Sequence, residues 1–399
     1  MNDKSASRPA RSLQRTAVLF VAPLLVVALA AVLIEAHPTK FKLADYEFLV
    51  IGLAVYAAVV FGGRMRNVAT LVASVMIGLF AIEVASAMLA PNIPATSKGF
   101  SVSHPILGWA PSGAGTYHAR KLAPDGSVVY DVSYTIDAPG LRRTLAGTSG
   151  PLVAFFGDSF TFGEGLDDPD TLPQSFADID GRHLRVINFG FSGYGPQQFL
   201  RAIETGMFDR LLTGAKVFVF QTSAWHAERS SCVADFSIRA PRYVLKGDDP
   251  VFTGPCTEGL DRKLHEFLGN SATFRFLLEP LRGAIGGKDI DLYIAEVRQA
   301  AALARAKYGA PTVVLYDPAD PAYMKSIGTT NDAIEARFRA AGLLVVDGTL
   351  EPADFPAGTA LSIHGDGHPT GIANRARARR LYDFLKKNLP DLTATNGAQ

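Results

Sequence analysis

The fold of this 399-residue chain is decided by residues 151–165, which read PLVAFFGDSFTFGEG. The five apolar residues 152–156 predict a short buried strand that ends at Gly157. Ser159 therefore follows a strand directly and stands at the entry to a helix, where a substrate can reach it. The N-terminal end of a helix also favours negative charge that develops nearby. This stretch makes Ser159 a candidate nucleophile.

The same kind of apolar run recurs along the C-terminal part of the chain. Four further runs share its length and composition, at 184–188, 216–221, 312–316 and 343–347. Helix-like stretches lie between them, for example at 196–212, 289–308 and 331–341. Apolar strands that alternate with helices predict an α/β fold with a parallel sheet covered on both faces. In such sheets, ligands bind beyond the carboxyl ends of the strands.

A second group of candidate residues lies near the C-terminus, where residues 364–370 read HGDGHPT. His368 can act as a general base toward a serine, and Asp366 can orient the imidazole. Nucleophile, base and orienting carboxylate are the parts that acyl transfer through a serine requires. A role as a helix cap or loop residue stays open for Asp366.

Three sequence blocks stand at predicted strand ends, in the order Gly157-Asp158-Ser159, then Asn188 followed by Ser192-Gly193, then Asp366 with His368. In this order they resemble the SGNH (GDSL-type) hydrolases, here as a membrane-anchored bacterial-type member, over about residues 151–389. The resemblance implies a flavodoxin-like three-layer fold, ester or acyl-transfer chemistry and no cofactor. It also implies Ser159 as nucleophile, His368 as base, and an oxyanion hole formed by the backbone N–H groups of Ser159 and Gly193.

Two departures from the family pattern affect the expected site. The family's third block carries an Asn whose side chain donates to the oxyanion, whereas residues 221–229 of this chain read QTSAWHAER. His226 is the candidate replacement donor, with a structural role as its alternative. The family also places an Asp three residues before the His, where this chain has Gly365. The orienting role of Asp366 therefore follows less directly from the resemblance than the base role of His368.

The N-terminal part of the chain predicts a membrane anchor. Three long apolar runs share a lack of charge, apart from Glu83 in the last one: Thr16–Ile34, Phe48–Gly63 and Val68–Leu89. Runs of this length predict about three transmembrane helices. A cleaved signal peptide is the alternative for the first run, but two more apolar runs follow it. We expect Glu83 to be an interfacial carboxylate.

The cations around these runs predict their orientation. Four basic residues precede the first run, namely Lys4, Arg8, Arg11 and Arg15, and Arg64 and Arg66 separate the second run from the third. Cytoplasmic loops carry an excess of such residues. We therefore expect a multi-pass protein of the cell (inner) membrane, with its N-terminus inside and its C-terminal body in the periplasm or outside the cell. If the short second run does not cross, the body lies in the cytoplasm.

These patterns predict four regions. An anchor occupies 1–90, a bridging segment with β-strands 91–150, a hydrolase-like domain 151–389, and a flexible tail 390–399. An insertion within the domain, at about 227–290, contains the two cysteines of the chain, Cys232 and Cys256. Two cysteines exclude a disulfide scaffold and a four-cysteine zinc site. In an oxidising compartment we expect them to be bonded to each other.

The net charge and the sequence motifs exclude several classes of function. The net charge of +1 argues against a nucleic-acid binder, and no phosphate loop, dinucleotide fingerprint or metal-ligand motif is present. The leading hypothesis is an extracytoplasmic serine esterase that cleaves O-acyl groups from a carbohydrate or another envelope component. An O-acyltransferase with a membrane acyl-donor partner uses the same residues and stays open. A catalytically inactive binding module also stays open because of the missing Asn.

Overall fold

A computed structural model describes residues 21–36, 42–89, 100–278 and 285–393 of the chain. The chain divides into two units. The first is drawn from residues 1–92 and 258–283, and the second from residues 93–257 and 284–399.

In its described residues, the first unit is mainly helical. Its helices are α1 (Ala22–Ala36), α2 (Lys42–Val60) and α3 (Gly63–Leu89), followed much later in the chain by α9 (Gly259–Leu268). Within the described residues, Leu43–Val60 and Gly63–Leu89 are long and apolar enough to cross a membrane, with mean hydropathies of 1.8 and 2.2. Ala22–Val32 is a shorter apolar helix. These two long helices correspond to the second and third predicted runs, whereas the first predicted run begins at residue 16, outside the described residues.

The second unit contains an eight-stranded sheet. Its strands are β3 (Gly115–Leu122), β4 (Val128–Asp137), β5 (Leu141–Arg142), β6 (Leu152–Phe156), β7 (Arg185–Asn188), β8 (Ala215–Thr222), β11 (Thr312–Tyr316) and β12 (Leu344–Asp347). The spatial order is β12-β11-β8-β6-β7-β5-β4-β3. The five strands from β12 to β7 are parallel. Numbered along the chain, they have the order 2-1-3-4-5 of flavodoxin-like sheets, which confirms the predicted fold.

Helices cover both faces of the parallel strands. The helices of this unit are α4 (Ser159–Phe162), α5 (Leu172–Ile179), α6 (Pro196–Thr205), α7 (Asp209–Leu212), α8 (His226–Ser230), α10 (Gly287–Tyr308), α11 (Pro321–Ser326), α12 (Asn331–Ala340), α13 (Gly371–Asn388) and α14 (Pro390–Thr393). Strand pleating sends Leu152, Ala154 and Phe156 into the core beneath α6 and α10. Val153 and Phe155 point to the opposite core, beneath α5 and α13. Because both faces of β6 are buried, its residues form a continuous apolar run.

The bridging segment is part of the same sheet. Strands β3, β4 and β5 are antiparallel and continue the sheet from the edge of β7. A separate hairpin precedes them, formed by β1 (Ser101–His104) and β2 (Gly108–Pro111). The buried guanidinium of Arg142, at the end of β5, binds Asp168 at 2.8 Å and lies over the ring of Phe162. The segment therefore packs directly against α4, the helix that begins at Ser159.

The predicted insertion is divided between the two units. Strands β9 (Pro241–Lys246) and β10 (Asp249–Pro255) form a hairpin in the second unit. Cys232 and Cys256 are joined by a disulfide across this region, with their Cα atoms 5.6 Å apart, as predicted. Residues 258–283 belong instead to the helical unit. The predicted tail also differs at its start, because residues 390–393 form a helical turn with Leu392 buried; residues 394–399 lie outside the described residues.

Candidate active site

A sharp turn after β6 presents the candidate nucleophile. Gly157 has a φ of 156°, and a Cβ at this position would lie 2.1 Å from Thr161 Oγ1 and 3.0 Å from the Gln221 carbonyl oxygen. Only glycine fits without displacing these neighbours. Asp158 then caps α4 by accepting a hydrogen bond from the Phe160 N–H at 2.9 Å. Ser159 is therefore the first residue of a helix at the carboxyl end of β6.

The structure brings Ser159, His368 and Asp366 together. His368 Nε2 lies 2.8 Å from Ser159 Oγ, and His368 Nδ1 is hydrogen-bonded to Asp366 Oδ1. Because Gly365 and Gly367 both have positive φ, at 74° and 94°, the chain turns tightly between the carboxylate and the ring. This turn is why an Asp two residues before the His reaches its Nδ1 atom. The three side chains form one hydrogen-bonded row.

A fourth side chain extends the row beyond Asp366. Lys121, on β3, donates to Asp366 Oδ2 at 2.5 Å, and its side chain is one-fifth exposed. Burial opposes ionisation of Asp366, but the hydrogen bonds from His368 and Lys121 hold the pKa of Asp366 well below its usual range. The carboxylate is therefore ionised at neutral pH. Lys121 belongs to none of the three sequence blocks, because it lies in the bridging segment that precedes them.

His368 also faces a second carboxylate. Glu164 Oε2 lies 3.9 Å from His368 Nε2 and accepts a hydrogen bond from Ser192 Oγ at 2.6 Å. Burial lowers the pKa of His368, but the hydrogen bond to Asp366 and the charge of Glu164 outweigh burial and raise it above its ordinary value. Glu164 thereby links the imidazole to the loop that carries Gly193.

The two expected oxyanion donors are backbone groups. Within the part of the chain that the structure describes, neither the Ser159 N–H nor the Gly193 N–H donates to another protein group. Gly193 has a φ of 79°, and a Cβ there would lie 3.1 Å from atoms of Phe236 and Trp109. Asn188 fixes the loop from below, because its Nδ2 donates to the Thr161 carbonyl at 2.9 Å and its Oδ1 accepts from the Gly190 N–H at 2.9 Å.

The structure places His226, the candidate replacement donor, in a buried cluster with Asp158. Its ring is fully buried, with Nδ1 2.8 Å from Thr222 Oγ1 and Nε2 3.0 Å from Asp158 Oδ2. Arg229 Nη1 lies 2.8 Å from the same carboxylate oxygen. Burial and the charge of Arg229 lower the pKa of His226 to about 4, so the ring is neutral at pH 7. Both ring nitrogens therefore have protein partners, and one of these partners is Asp158, the residue that caps α4.

Asp158 is the centre of this buried cluster. Although burial opposes ionisation, the charge of Arg229 and the hydrogen bond to His226 hold the pKa of Asp158 well below its usual range. Asp158 is therefore a fixed carboxylate that joins the cap of α4 to α8. Phe160 lies between the site and this cluster, with ring contacts to both Trp225 and His368. Among the described residues, no group of three or more His, Cys, Asp or Glu side chains could hold a metal ion.

Comparisons with known proteins find distant matches among solved structures. No family model and no curated protein matches the sequence. Solved structures that match include a member of the lipolytic protein G-D-S-L family from Veillonella parvula (12% identity, TM-score 0.35, 60% of this chain and 100% of that chain). Others are the esterase EstA from Pseudoalteromonas sp. (13%, 0.35, 60% and 98%) and a carbohydrate acetylesterase family member from Sinorhizobium meliloti (12%, 0.33, 60% and 99%).

The fold is established by the chain's own topology. A 2-1-3-4-5 parallel sheet carries the Gly-Asp-Ser turn at the end of its first strand, and helices cover both faces of the sheet. The second unit of this chain has the fold of the SGNH (GDSL-type) hydrolases.

Proposed function

We propose that this chain is a membrane-anchored serine esterase that cleaves O-acyl esters, with carbohydrate or another envelope component as the alcohol. The observation that carries the proposal is the continuous row of hydrogen bonds from Ser159 through His368 to Asp366 and Lys121. Nucleophile, base and orienting carboxylate in this order are the parts of serine-based acyl transfer. A binding module would not require an aligned nucleophile and base.

Attack on the ester begins at Ser159. Its Oγ forms a bond to the acyl carbon while His368 Nε2 accepts the hydroxyl proton. The ionised Asp366 stabilises the imidazolium, and Lys121 keeps that carboxylate ionised. Negative charge on the former carbonyl oxygen is stabilised by the N–H groups of Ser159 and Gly193. Collapse breaks the bond to the alcohol oxygen, which takes the proton from His368. Water, deprotonated by His368, then forms a bond to the acyl carbon. The bond to Ser159 Oγ breaks as that oxygen takes the proton back from His368.

The pH dependence of kcat/KM should reveal the effect of Glu164 on the pKa of His368. Because His368 must be neutral to accept a proton, activity falls as the pH drops through the raised pKa of His368. The Glu164→Gln variant removes a negative charge that favours the imidazolium, so the pKa of His368 falls and the acid limb of kcat/KM shifts to lower pH. Glu351→Gln, at an exposed carboxylate, is the matched control and should leave the limb in place. A limb that stays fixed in Glu164→Gln would contradict this role.

His226 should affect stability more than rate. His226→Ala removes two buried hydrogen bonds and leaves a cavity behind Asp158, so we expect the free energy of unfolding to fall by about 2–4 kcal/mol. The folded fraction should keep kcat within about tenfold, since the ring does not face the oxyanion. Thermal unfolding together with titration of active sites measures both quantities. A loss of about 10²-fold in kcat without a change in unfolding would show an oxyanion donor instead.

Two observations support an extracytoplasmic location. Basic residues precede the first apolar run, which favours a cytoplasmic N-terminus. The disulfide between Cys232 and Cys256 lies in the catalytic unit, and such bonds persist in oxidising compartments. With three spans, the catalytic unit is then on the periplasmic or outer side, where acylated envelope carbohydrate is present.

Reporter fusions test this location. A C-terminal fusion to an enzyme that is active only after export should be active, because an odd number of spans moves the C-terminus across the membrane. A fusion to a reporter active only in the cytoplasm should be silent. The reverse pair of results would refute both the orientation and the envelope substrate.

Product analysis tests the reaction. Full-length protein in detergent should release acetate from acetylated oligosaccharides and from simple acetyl esters, at equal rates with and without a free oligosaccharide acceptor. Appearance of the acyl group on the acceptor would assign the acyltransferase reaction instead, since a sugar hydroxyl would then discharge the acyl-enzyme. Absence of both products, with no covalent modification of Ser159, would leave only a binding role.

A further inference from the structure

A buried carboxylate of helix α3 holds a distant part of the chain. Glu83 is only 2% exposed, and its Oε2 accepts hydrogen bonds from Ser271 Oγ at 2.7 Å and from the Thr273 N–H at 3.1 Å. Its Oε1 accepts from the Ala272 N–H. Ser86, one turn further along α3, accepts from Thr273 Oγ1 at 3.3 Å. A carboxylate with this many donors fixes residues 271–273 against the helix.

This attachment lies near one end of the helix. Glu83 is six residues before Leu89, where α3 ends. At a rise of 1.5 Å per residue, the attachment is about 9 Å from that end. If α3 spans a bilayer of about 30 Å, this depth is close to the membrane–water interface. The chain that follows α9 is therefore held at interfacial depth.

Helix α9, which precedes the attached turn, has its apolar side outward. Leu260, Leu264 and Phe267 are 79%, 52% and 53% exposed. Their spacing of four and three residues places them on one face of the helix. His265 is the buried residue of this helix, whereas Asp261 and Glu266 are exposed like the apolar residues. A helix on a water-soluble protein is expected to bury its leucines, so the exposed apolar face of α9 departs from the arrangement that water favours.

The exposed apolar surface continues beyond α9. Phe276, Leu277 and Leu278, which follow the attached turn, are 38%, 46% and 52% exposed. In the same unit, the last turns of α3 expose Ile82 and Met88. The surface of α9 is thus part of a unit whose membrane-spanning helix also exposes apolar side chains.

A cation flanks the apolar stripe of α9. Lys263 is exposed and adjoins Leu260 and Leu264 on the helix surface. An apolar face bordered by charged residues is typical of helices that lie in the headgroup–acyl boundary of a bilayer. We propose that residues 259–278 form an interfacial element that lies in the leaflet reached by the C-terminal end of α3, with phospholipid as its partner.

The proposal rests on the membrane anchoring proposed above and adds a second attachment to it. The chain enters the catalytic unit after residue 92, leaves it after residue 257 and returns at residue 284. The chain therefore passes between the helical unit and the catalytic unit three times instead of once. Two of these three connections exist because residues 258–283 belong to the helical unit.

Single labels on the intact protein test the proposal. Because the two native cysteines are bonded to each other, one introduced cysteine provides one reactive thiol. The variants are Leu264→Cys on the apolar face of α9, Glu266→Cys on the other side of the helix, and Leu79→Cys in α3 as the reference for the bilayer. Each is labelled with an environment-sensitive fluorophore and reconstituted as full-length protein in vesicles of phosphatidylcholine and phosphatidylglycerol.

We expect spin-labelled acyl chains to quench the fluorophores at Leu264→Cys and Leu79→Cys several-fold more strongly than the one at Glu266→Cys. Quenching at Leu79→Cys, with equal and weak quenching at the two α9 positions, would overturn the proposal while leaving the anchor intact. Weak quenching at all three positions would refute the anchor and the proposal together. The esterase assay is independent of these outcomes. Leu264 and Glu266 are both exposed, and an unchanged melting temperature checks that each variant is folded.

Discussion

The Ser159→Ala variant should lose about 10⁴-fold or more in kcat, because the bond to the acyl carbon cannot form without the hydroxyl. The variant should fold normally, since the hydrogen bond that Ser159 Oγ loses within the described part of the chain is the one to His368, at 2.8 Å. The measurement is steady-state hydrolysis of a short acyl ester by the full-length protein.

Ser103→Ala is the matched control for this prediction. Ser103 is exposed on β1, and its substitution should leave kcat unchanged. The His368→Ala variant adds a second check. Because nucleophile and base act as one unit, the losses in kcat of Ser159→Ala and His368→Ala should not add. Undiminished turnover in Ser159→Ala would overturn the assignment of every other residue in the site.

The Asp366→Asn variant should lose about 10³–10⁴-fold in kcat. Among the described residues, the His368 Nδ1 atom has a hydrogen bond to Asp366 only, so no backbone carbonyl compensates for the change. An amide at this position cannot stabilise the imidazolium and can hold the wrong tautomer of the ring. Steady-state kinetics at several pH values measure the loss.

Lys121→Met provides the graded comparison for Asp366. Removing this cation should lower kcat by a smaller factor, because the hydrogen bond between Asp366 and His368 remains while the pKa of the carboxyl moves back toward its usual range. A loss in Asp366→Asn that is no larger than the loss in Lys121→Met would argue that Asp366 is a loop residue and not the orienting group.

The parallel sheet and the pairing of Ser159 with His368 could be predicted, because both depend on sequence patterns at the ends of strands. Strand β6 is buried on both faces, and five consecutive apolar residues are the direct consequence of that burial. Ser159 and His368 each come from a connection at the carboxyl side of the sheet, where the topology brings them together. The spacing of Asp366 could be judged only from the structure, since it depends on positive φ at Gly365 and Gly367.

The contacts of Lys121 and His226 could not be predicted from a sequence pattern. Lys121 lies 245 residues before its partner Asp366, on an edge strand with ordinary composition. His226 follows a strand end, as a site residue would, but its ring turns under the site toward Thr222 and Asp158. The spacing of Thr222 and His226, four residues apart, was the available signal for that buried contact.

The sequence also does not show that the predicted insertion is divided between the two units. Leu260, Leu264 and Phe267 have the spacing of an amphipathic helix, but periodicity does not reveal whether the apolar face meets protein or lipid. The partner of Glu83 is Ser271, 188 residues away. A long-range contact between two polar residues has no signature in a single sequence.

The central claim is that Ser159 is an activated nucleophile, and covalent labelling tests it most directly. The full-length protein, treated with a fluorophosphonate and analysed by peptide mass spectrometry, should carry one phosphonyl group, on the peptide that contains Ser159. The Ser159→Ala variant should carry none, and Ser103→Ala should be labelled as fully as the unaltered protein. A phosphonyl group on another residue, or an ester-cleaving protein that takes up no label at Ser159, would contradict the account.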